Sequence, residues 1–332
     1  MTDSVFNVPA WWRLLGAATR PAARLFLPER AGPWPESEHP TIWLHAASLG
    51  ETKGLLRLAA ALDGVALTLT ATTHSGLRRL RDERPDLDSF LLPWDDASTL
   101  DAFLSTRRVV RAVFFEADAW PAAFGRLSAR SIPFAMASVR CGARSRARWK
   151  RLGRILPGMT ESVSIAWADG PAARLDGLGF RSCRGGASLK WAGVHVSRVV
   201  VVPGRVAAIS FHLRDLPRLR SLVRANPGKA WLWFPRRRLL TAPARVFARF
   251  LGLRPTLPDA LPSSNEVWIA SRLGLVRSML PGCEAAWVSP GHDREEPLRL
   301  GVPVLLDDTS SSEPGASPEE TLREIVDWLL PN

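Results

Sequence analysis

Trp43-Leu44-His45-Ala46-Ala47-Ser48-Leu49-Gly50-Glu51 is the stretch whose reading decides the fold. Residues 41–46 form an apolar run that reads as a buried strand, a turn of small residues follows, and a helix then opens with a carboxylate in its first turn. Ser48 can cap that helix, Gly50 leaves room for a ligand near the backbone, and Glu51 falls where strand, turn and helix N-terminus meet. An α/β enzyme presents a base in this way. A plain capping box, Ser48 with Glu51 three residues on, uses the same residues without any chemistry.

The alternation continues outward. Residues 65–71, 89–92, 109–115, 132–137 and 162–166 read as further strands, and 52–62, 119–129 and 170–178 as helices. This is the pattern of a parallel sheet covered on both faces. A glycine-rich, strand-poor interval, 181–196, leads to a second series with strands at 205–210, 230–234, 266–269, 285–288 and 302–306 and a last helix at 318–330. The expected organisation is an N-terminal amphipathic segment over 1–40, a Rossmann-like domain over 41–180, a linker over 181–204 and a second Rossmann-like domain over 205–332. In open sheets of this kind ligands bind at the carboxyl ends of the strands.

Composition narrows the class. The 332 residues exceed what one small core needs, and 46% hydrophobic with 23% charged is ordinary for a soluble globular protein. Cys141, Cys183 and Cys283 lie far apart with no metal spacing, and the histidines are scattered, so neither a disulfide framework nor a metal centre is expected. A reduced cytosolic compartment follows. No apolar run reaches the roughly eighteen residues of a membrane-spanning helix. Residues 11–27 mix tryptophan and leucine with arginine at near-helical spacing, and read either as a segment lying on a membrane surface or as a helix packed on the first domain.

The net charge of +12 is concentrated, with Arg140, Arg144, Arg146, Arg148, Lys150, Arg151 and Arg154 in one short stretch. Such a stretch attracts phosphate, as anionic lipid or phosphorylated glycolipid, or it is simply the solvated face of a helix. Only Trp149 interrupts the arginines with an aromatic ring, so a nucleic-acid platform is not expected.

Six segments, in order from about residue 43 to 303, resemble those of the 3-deoxy-D-manno-octulosonic acid (Kdo) transferases of lipopolysaccharide assembly. The family's Ser-Val-Gly-Glu turn is similar to Ser48-Leu49-Gly50-Glu51, and its Glu-Thr-Glu-Leu-Trp-Pro strand end to Glu116-Ala117-Asp118-Ala119-Trp120-Pro121. An Asn-Ala-Arg-Leu-Ser-like turn corresponds to Ala137-Ser138-Val139-Arg140, and a Gly-Asn-Leu-Lys-Phe segment to Ala187-Ser188-Leu189-Lys190-Trp191. Pro235-Arg236-Arg237 resembles a Pro-Arg-His segment. Pro290-Gly291-His292-Asp293 through Glu296-Pro297 resembles Gly-Gly-His-Asn-x-x-Glu-Pro.

The resemblance implies an α/β chain of the glycosyltransferase B type, two Rossmann-like domains facing one cleft, and an inverting transfer of Kdo from CMP-Kdo to a lipid A precursor. It implies Glu51 as general base and Glu116 and Lys190 as stabilisers of the transition state, with no metal and no cofactor beyond the donor. Arg236, Arg237, Gly274, Asp293 and Glu296 take the nucleotide positions, and Ser48, Gly50, Arg140 and Arg144 are expected on the acceptor side. His212 matches a family histidine and also reads as structural. The expected partners are CMP-Kdo, the lipid A precursor and the cytoplasmic surface of the inner membrane, with no nucleic acid; the sequence does not fix an oligomeric state. Arg237 stands where the family has histidine, Leu275 where it has glutamate beside Gly274, and Asp293 where it has asparagine. These departures keep open a different CMP-activated acid sugar or acceptor, or a degenerate homologue that binds a glycolipid or a partner.

Overall fold

The computed structural model describes residues 6, 8–9, 27–116, 118–192, 204–235, 238–256, 261–269, 279–280, 283–288, 297, 302–304 and 316–331. They fall into two compact units, one of residues 1–194 with 312–332 and one of residues 195–311.

The first unit holds strands β1 (Thr41–Ala46), β2 (Leu67–Ala71), β3 (Asp88–Leu91), β4 (Val109–Phe115), β5 (Phe134–Val139), β6 (Ile165–Ala168) and β7 (Cys183–Arg184). They form one parallel sheet in the order β3-β2-β1-β4-β5-β6-β7. Every residue of β1 is buried, because helices cover both faces of the sheet and leave no polar side for water. The helices are α1 (Thr52–Ala61), α2 (His74–Glu83), α3 (Ala97–Thr106), α4 (Pro121–Ala129) and α5 (Ala143–Ile155). Strand alternation divides the core. Trp43 and Phe114 join the α3, α4 and α5 residues Phe103, Phe124 and Trp149 on one face, while Ile42, Leu44 and Val113 join Leu55 of α1 and Leu77 of α2 on the other.

The second unit carries β8 (Arg205–Phe211), α6 (Leu216–Ala225), β9 (Ala230–Pro235), α7 (Thr241–Phe250), β10 (Arg254–Pro255), β11 (Glu266–Ile269) and β12 (Ala285–Val288). Its parallel sheet runs β10-β11-β9-β8-β12. Much of the chain's tryptophan is spent in these cores. Trp231, Trp233 and Trp287 are fully enclosed here, as Trp43, Trp149 and Trp167 are in the first unit.

Three expectations change. The last helix, α8 (Pro318–Leu329), belongs to the first unit and not to a domain over 205–332. Its buried Thr321, Ile325 and Leu329 form a stripe along one side, and Ile325 and Leu329 enter the same apolar cluster as Leu55, Trp167 and Leu189. The interval expected as a linker from residue 181 contributes β7 and a short 3-10 turn, Leu189–Trp191, and it stays with the first unit as far as Val194. Residues 170–178 form no α-helix. Only Ala172–Leu175 turn, as 3-10, because Pro171 opens the segment and Gly177 takes a left-handed backbone at φ 68° that ends it. Of the strand expected at 302–306, the described part makes a single bridge, Val304 to Ala286. The N-terminal stretch 11–27 lies outside the described residues except for Leu27.

Candidate active site

In the first sheet the strand order reverses between β1 and β4. β2 and β3 lie outward of β1, and β5 onward lie outward of β4. A crevice opens at the carboxyl ends of two strands where their connections diverge to opposite sides, and there an α/β sheet takes ligands. Glu51 follows β1 and Glu116 follows β4.

Glu51 is the residue immediately ahead of α1, and its side chain makes no capping bond to that helix. Its carboxylate folds back on the turn. Oε2 accepts from the backbone N–H of Ala47 at 2.7 Å and of Ser48 at 3.3 Å, and the Ser48 hydroxyl donates to Oε1 at 2.8 Å. Ser48 therefore caps nothing with its side chain, contrary to expectation. Its carbonyl accepts the N–H groups of Glu51 and Thr52 at 3.1 Å, while its hydroxyl is committed to the carboxylate. Only one half of a capping box is present, and the donors converge on Glu51.

The electrostatics oppose those donors. Burial pushes the Glu51 carboxyl up to about 7, the negative charge of Glu116 adds to the rise and that of Asp118 adds a little more, while the bonds from Ser48 and Ala47 hold it down. A carboxylic acid that titrates near neutrality is a candidate general base. His45, six residues earlier on β1, is not one. Its ring is fully enclosed, bonded through Nδ1 to Thr70 Oγ1 at 2.9 Å, and burial, reinforced by Arg30, lowers it to about 3, so it is neutral throughout the physiological range.

Glu116 takes a left-handed backbone, φ 60°, rare for a residue with a side chain and worth about 1–2 kcal/mol of strain. Its N–H donates to the Ala137 carbonyl at 2.8 Å, so the strain falls just where β4 leaves the sheet. Ser138 on the next strand repeats it with φ 55°, at an irregularity in the pairing of β5 with β6 between Met136 and Val139. An extra residue of this kind re-aims a side chain. The Ser138 hydroxyl accepts from the N–H of Leu189 at 3.2 Å and so fixes the start of the 3-10 turn that carries Lys190. That turn packs on α1 at Gly54, where a Cβ would stand 3.2 Å from the Phe115 ring and 3.4 Å from the backbone nitrogen of Lys190. Glu51, Glu116 and the backbone of Lys190 are thus brought to one end of one sheet. Ser138 and Asp118 act there too; both fall in segments that carry the family resemblance, but the sequence assigns neither a role, and a serine at a strand end gives no signal of a bulge.

On the acceptor side, Gly50 is exposed, and a Cβ there would meet nothing closer than Ser48 Oγ at 3.8 Å, so the space in front of the turn is open. Arg140 is held by its own unit, with Nε donating to Asp169 at 2.8 Å. The side chain of Arg144 lies outside the described residues, while its backbone is in the first turn of α5. Arg148 pairs with Asp118 at 3.5 Å, which joins the basic helix to the loop after β4. Farther along α5, Lys150, Arg151 and Arg154 are exposed around the buried Trp149.

In the second unit the order reverses between β8 and β12. His212 follows β8 and closes a capping box with Asp215, so its part in the structure is to begin the turn into α6. Arg236 and Arg237 follow β9, and Gly274, Leu275, Asp293 and Glu296 belong to the stretches flanking β12. All six lie outside the described residues. Among the described residues no three His, Cys, Asp or Glu are grouped to hold a metal ion.

Two parallel α/β units, each with a switch point in its own sheet, define the class, a chain of the glycosyltransferase B fold. The UDP-GlcNAc 2-epimerase from Neisseria meningitidis bound to UDP-GlcNAc superposes with a TM-score of 0.55 at 10% identity over 87% of this chain and 91% of that one. The UDP-N-acetylglucosamine 2-epimerase from Rickettsia bellii gives 0.51 at 13% over 82% and 80%. At such identities the likeness is one of fold. The family model for 3-deoxy-D-manno-octulosonic-acid transferase (kdotransferase) matches residues 21–191, and the chain belongs to that family. It is 31% identical over 157 residues to the 3-deoxy-D-manno-octulosonic acid transferase of Bordetella pertussis, covering 44% of this chain and 35% of that one. The enzyme of the same name from Haemophilus influenzae is 28% identical over 153 residues, covering 44% and 36%. The chain thus spans about a third of the length of the curated relatives it matches.

Proposed function

We propose that the chain is an inverting glycosyltransferase that moves Kdo from CMP-Kdo to a hydroxyl of a lipid A precursor, at the cytoplasmic face of the inner membrane. The observation that carries this reading is the Glu51 carboxylate, held by three donors yet raised to about 7 by burial. At neutral pH such a group is ionised in a large fraction of molecules and is a stronger base than an ordinary carboxylate. In the proposed step the acceptor oxygen bonds to the anomeric carbon of Kdo as its proton passes to Glu51. The bond from that carbon to the CMP phosphate oxygen breaks on the opposite face, and CMP leaves with the electron pair. Glu116 is assigned to favour positive charge at the anomeric carbon, and Lys190 to favour negative charge on the departing phosphate.

The resemblance assigns Arg236, Arg237, Gly274, Asp293 and Glu296 to the nucleotide, and the open turn at Gly50 and the basic stretch with Arg140 and Arg144 are proposed for the acceptor side. Ser48 is better described as a residue that positions Glu51. No helix among the described residues is long and apolar enough to cross a membrane, so contact with the bilayer is proposed as peripheral. CMP release from CMP-Kdo in the presence of a lipid A precursor tests the reading. Release by the purified chain, lost in Glu51→Gln, is expected; no release from the parent chain overturns it.

A second reading, a transferase for another CMP-activated acid sugar, is favoured by Leu275 and Arg237 standing in place of a glutamate and a histidine. Thermal shift with a panel of CMP-sugars at equal concentration separates the two, since a ligand of the folded state raises the midpoint more the tighter it binds.

A further inference from the structure

The outer side of α7 is apolar. Val246 is 68% exposed and Phe250 82%, one helical turn apart, and Leu239 in the turn before the helix is 85% exposed. Pro243 is exposed on the same side. Residues 243, 246 and 250 step by three and four, which is one stripe along α7, and Leu239 stands just ahead of it in the 3-10 turn Arg238–Leu240. The stripe faces away from the unit's core, since Ala244 and Ala248 are the buried positions of α7. A soluble helix places charges there; this one has two apolar sides. Beside the stripe stand Arg245 and Arg249, both exposed. Between Asp215 and Asp259 the sequence holds ten Lys or Arg and no Asp or Glu, and the stripe lies within that run.

From this geometry we infer that the outer face of α7 is a seat for an anionic lipid bilayer. Apolar side chains enter the boundary between headgroups and acyl chains, and arginines at their flank meet lipid phosphate. The helix is already folded on its own unit, so seating orders no new backbone. Charge complementarity selects the occupant. An acidic membrane surface matches the run of cations, whereas a second copy of this chain would set one cationic face against another. The inference deepens the proposed function by naming a surface through which the chain meets the membrane, and it rests on that reading only for its biological sense. Binding is measured with neither donor nor acceptor, so its failure leaves the transferase reading standing, and a failure of that reading leaves the seat intact.

The test uses the full chain with Cys141→Ser and Cys183→Ser, and with Phe250→Cys carrying an environment-sensitive nitrobenzoxadiazole probe. Cys283 is fully enclosed and so takes no label. Vesicles of phosphatidylcholine with phosphatidylglycerol are expected to shift the probe's emission to the blue and to let lipid-borne quenchers reach it, whereas vesicles of phosphatidylcholine alone do neither. Raising the salt concentration is expected to reverse the shift, as screening weakens the arginine contacts. In the otherwise unsubstituted chain, Val246→Glu with Phe250→Glu is expected to lower vesicle partitioning by about tenfold or more with an unchanged melting midpoint, because both side chains are already in water. A probe at 250 that does not respond while the chain binds vesicles through another segment overturns the inference. So does equal response to neutral lipid, or a dimer in solution that the two glutamates dissociate.

Discussion

Glu51 and Glu116 close the carboxyl ends of two adjacent parallel strands, β1 and β4, and the charge of Glu116 adds to burial in raising the Glu51 carboxyl to about 7. Both residues depart from the quiet local choice. Glu51 accepts three bonds from its own turn instead of capping its helix, and Glu116 adopts a left-handed backbone. Strain and like charge kept together at a sheet switch point point to function, because a site free to relax would shed both.

Replacing the charge of Glu51 should stabilise the fold. Its folded value lies above the ordinary 4.5, so between about pH 4.5 and 7 the folded chain retains a proton that the unfolded chain has lost. Stability from this group is therefore complete below that window and declines as pH rises through it. Glu51→Gln removes the decline and can keep the bonds from the Ala47 and Ser48 N–H groups on its amide oxygen, while its NH2 donates to the Ser48 hydroxyl in place of accepting from it. Urea unfolding at pH 8 is expected to show a gain of about 1–2 kcal/mol, after discounting for partial contact with water, and no gain at pH 4. Loss of stability at pH 8 would refute the assignment of burial as the dominant cause.

Two neighbours should move the same titration in opposite directions. The Ser48 hydroxyl holds the carboxyl down, so Ser48→Ala raises it and shifts the acidic limb of kcat/KM to higher pH. Glu116 pushes it up, so Glu116→Gln lowers it. If Glu116 also stabilises the transition state, that variant loses turnover as well, and the shift is then read from the carboxyl carbon resonance of Glu51. A common direction for the two variants contradicts the arrangement.

Much of this frame was legible in sequence, and the gaps have physical causes. β1, β4, β11 and β12 are apolar runs that declare themselves, as does the stripe of α8. Helix α2 buries only Leu77 and Leu80 besides a glycine, and its surest mark is the Thr73 hydroxyl accepting from Gly76, a cap seen only once the helix is known. Amphipathicity says that α8 buries one side. It does not say against what; the partners, Leu55, Trp167 and Leu189, are far away in sequence. Glu51 stood out from its strand-turn-helix setting, but the inward turn of its carboxylate depends on backbone angles. Ser138 lies in a segment that matches the family, but its part in the site depends on the bulge, which the residue type does not signal.

Gly54 sets the distance between α1 and the Lys190 turn. Alanine there gains roughly 1 kcal/mol of helix propensity but places a methyl 3.2 Å from Phe115 and 3.4 Å from the backbone nitrogen of Lys190. The ring is enclosed and cannot swing away, so the turn has to give by a few tenths of an ångström. Stability within about 1 kcal/mol of the parent is expected, with kcat reduced about tenfold or more and KM for the acceptor little changed. A parent-like kcat would show that Lys190 does not need that position.

Helix α8 should matter to the first unit although it follows the second in sequence. The Thr321 hydroxyl accepts from the buried N–H of Ala187 at 2.9 Å, Glu324 accepts from the Trp167 indole at 2.9 Å, and Trp328 lies edge to face with Trp167 at 6.2 Å. Thr321→Val leaves the Ala187 N–H without its acceptor and is expected to cost about 1–3 kcal/mol. Ile325→Ala empties an enclosed site in the cluster shared with Leu189 and is expected to cost about 2–5 kcal/mol. Both losses should appear in the unfolding transition of the first unit, followed through hydrogen exchange of β1 and β4, with exchange of β8 and β9 unchanged. Equal loss in β8 and β9 would mean that α8 stabilises the chain as a whole, and the grouping of residues 312–332 with the first unit would have to be abandoned.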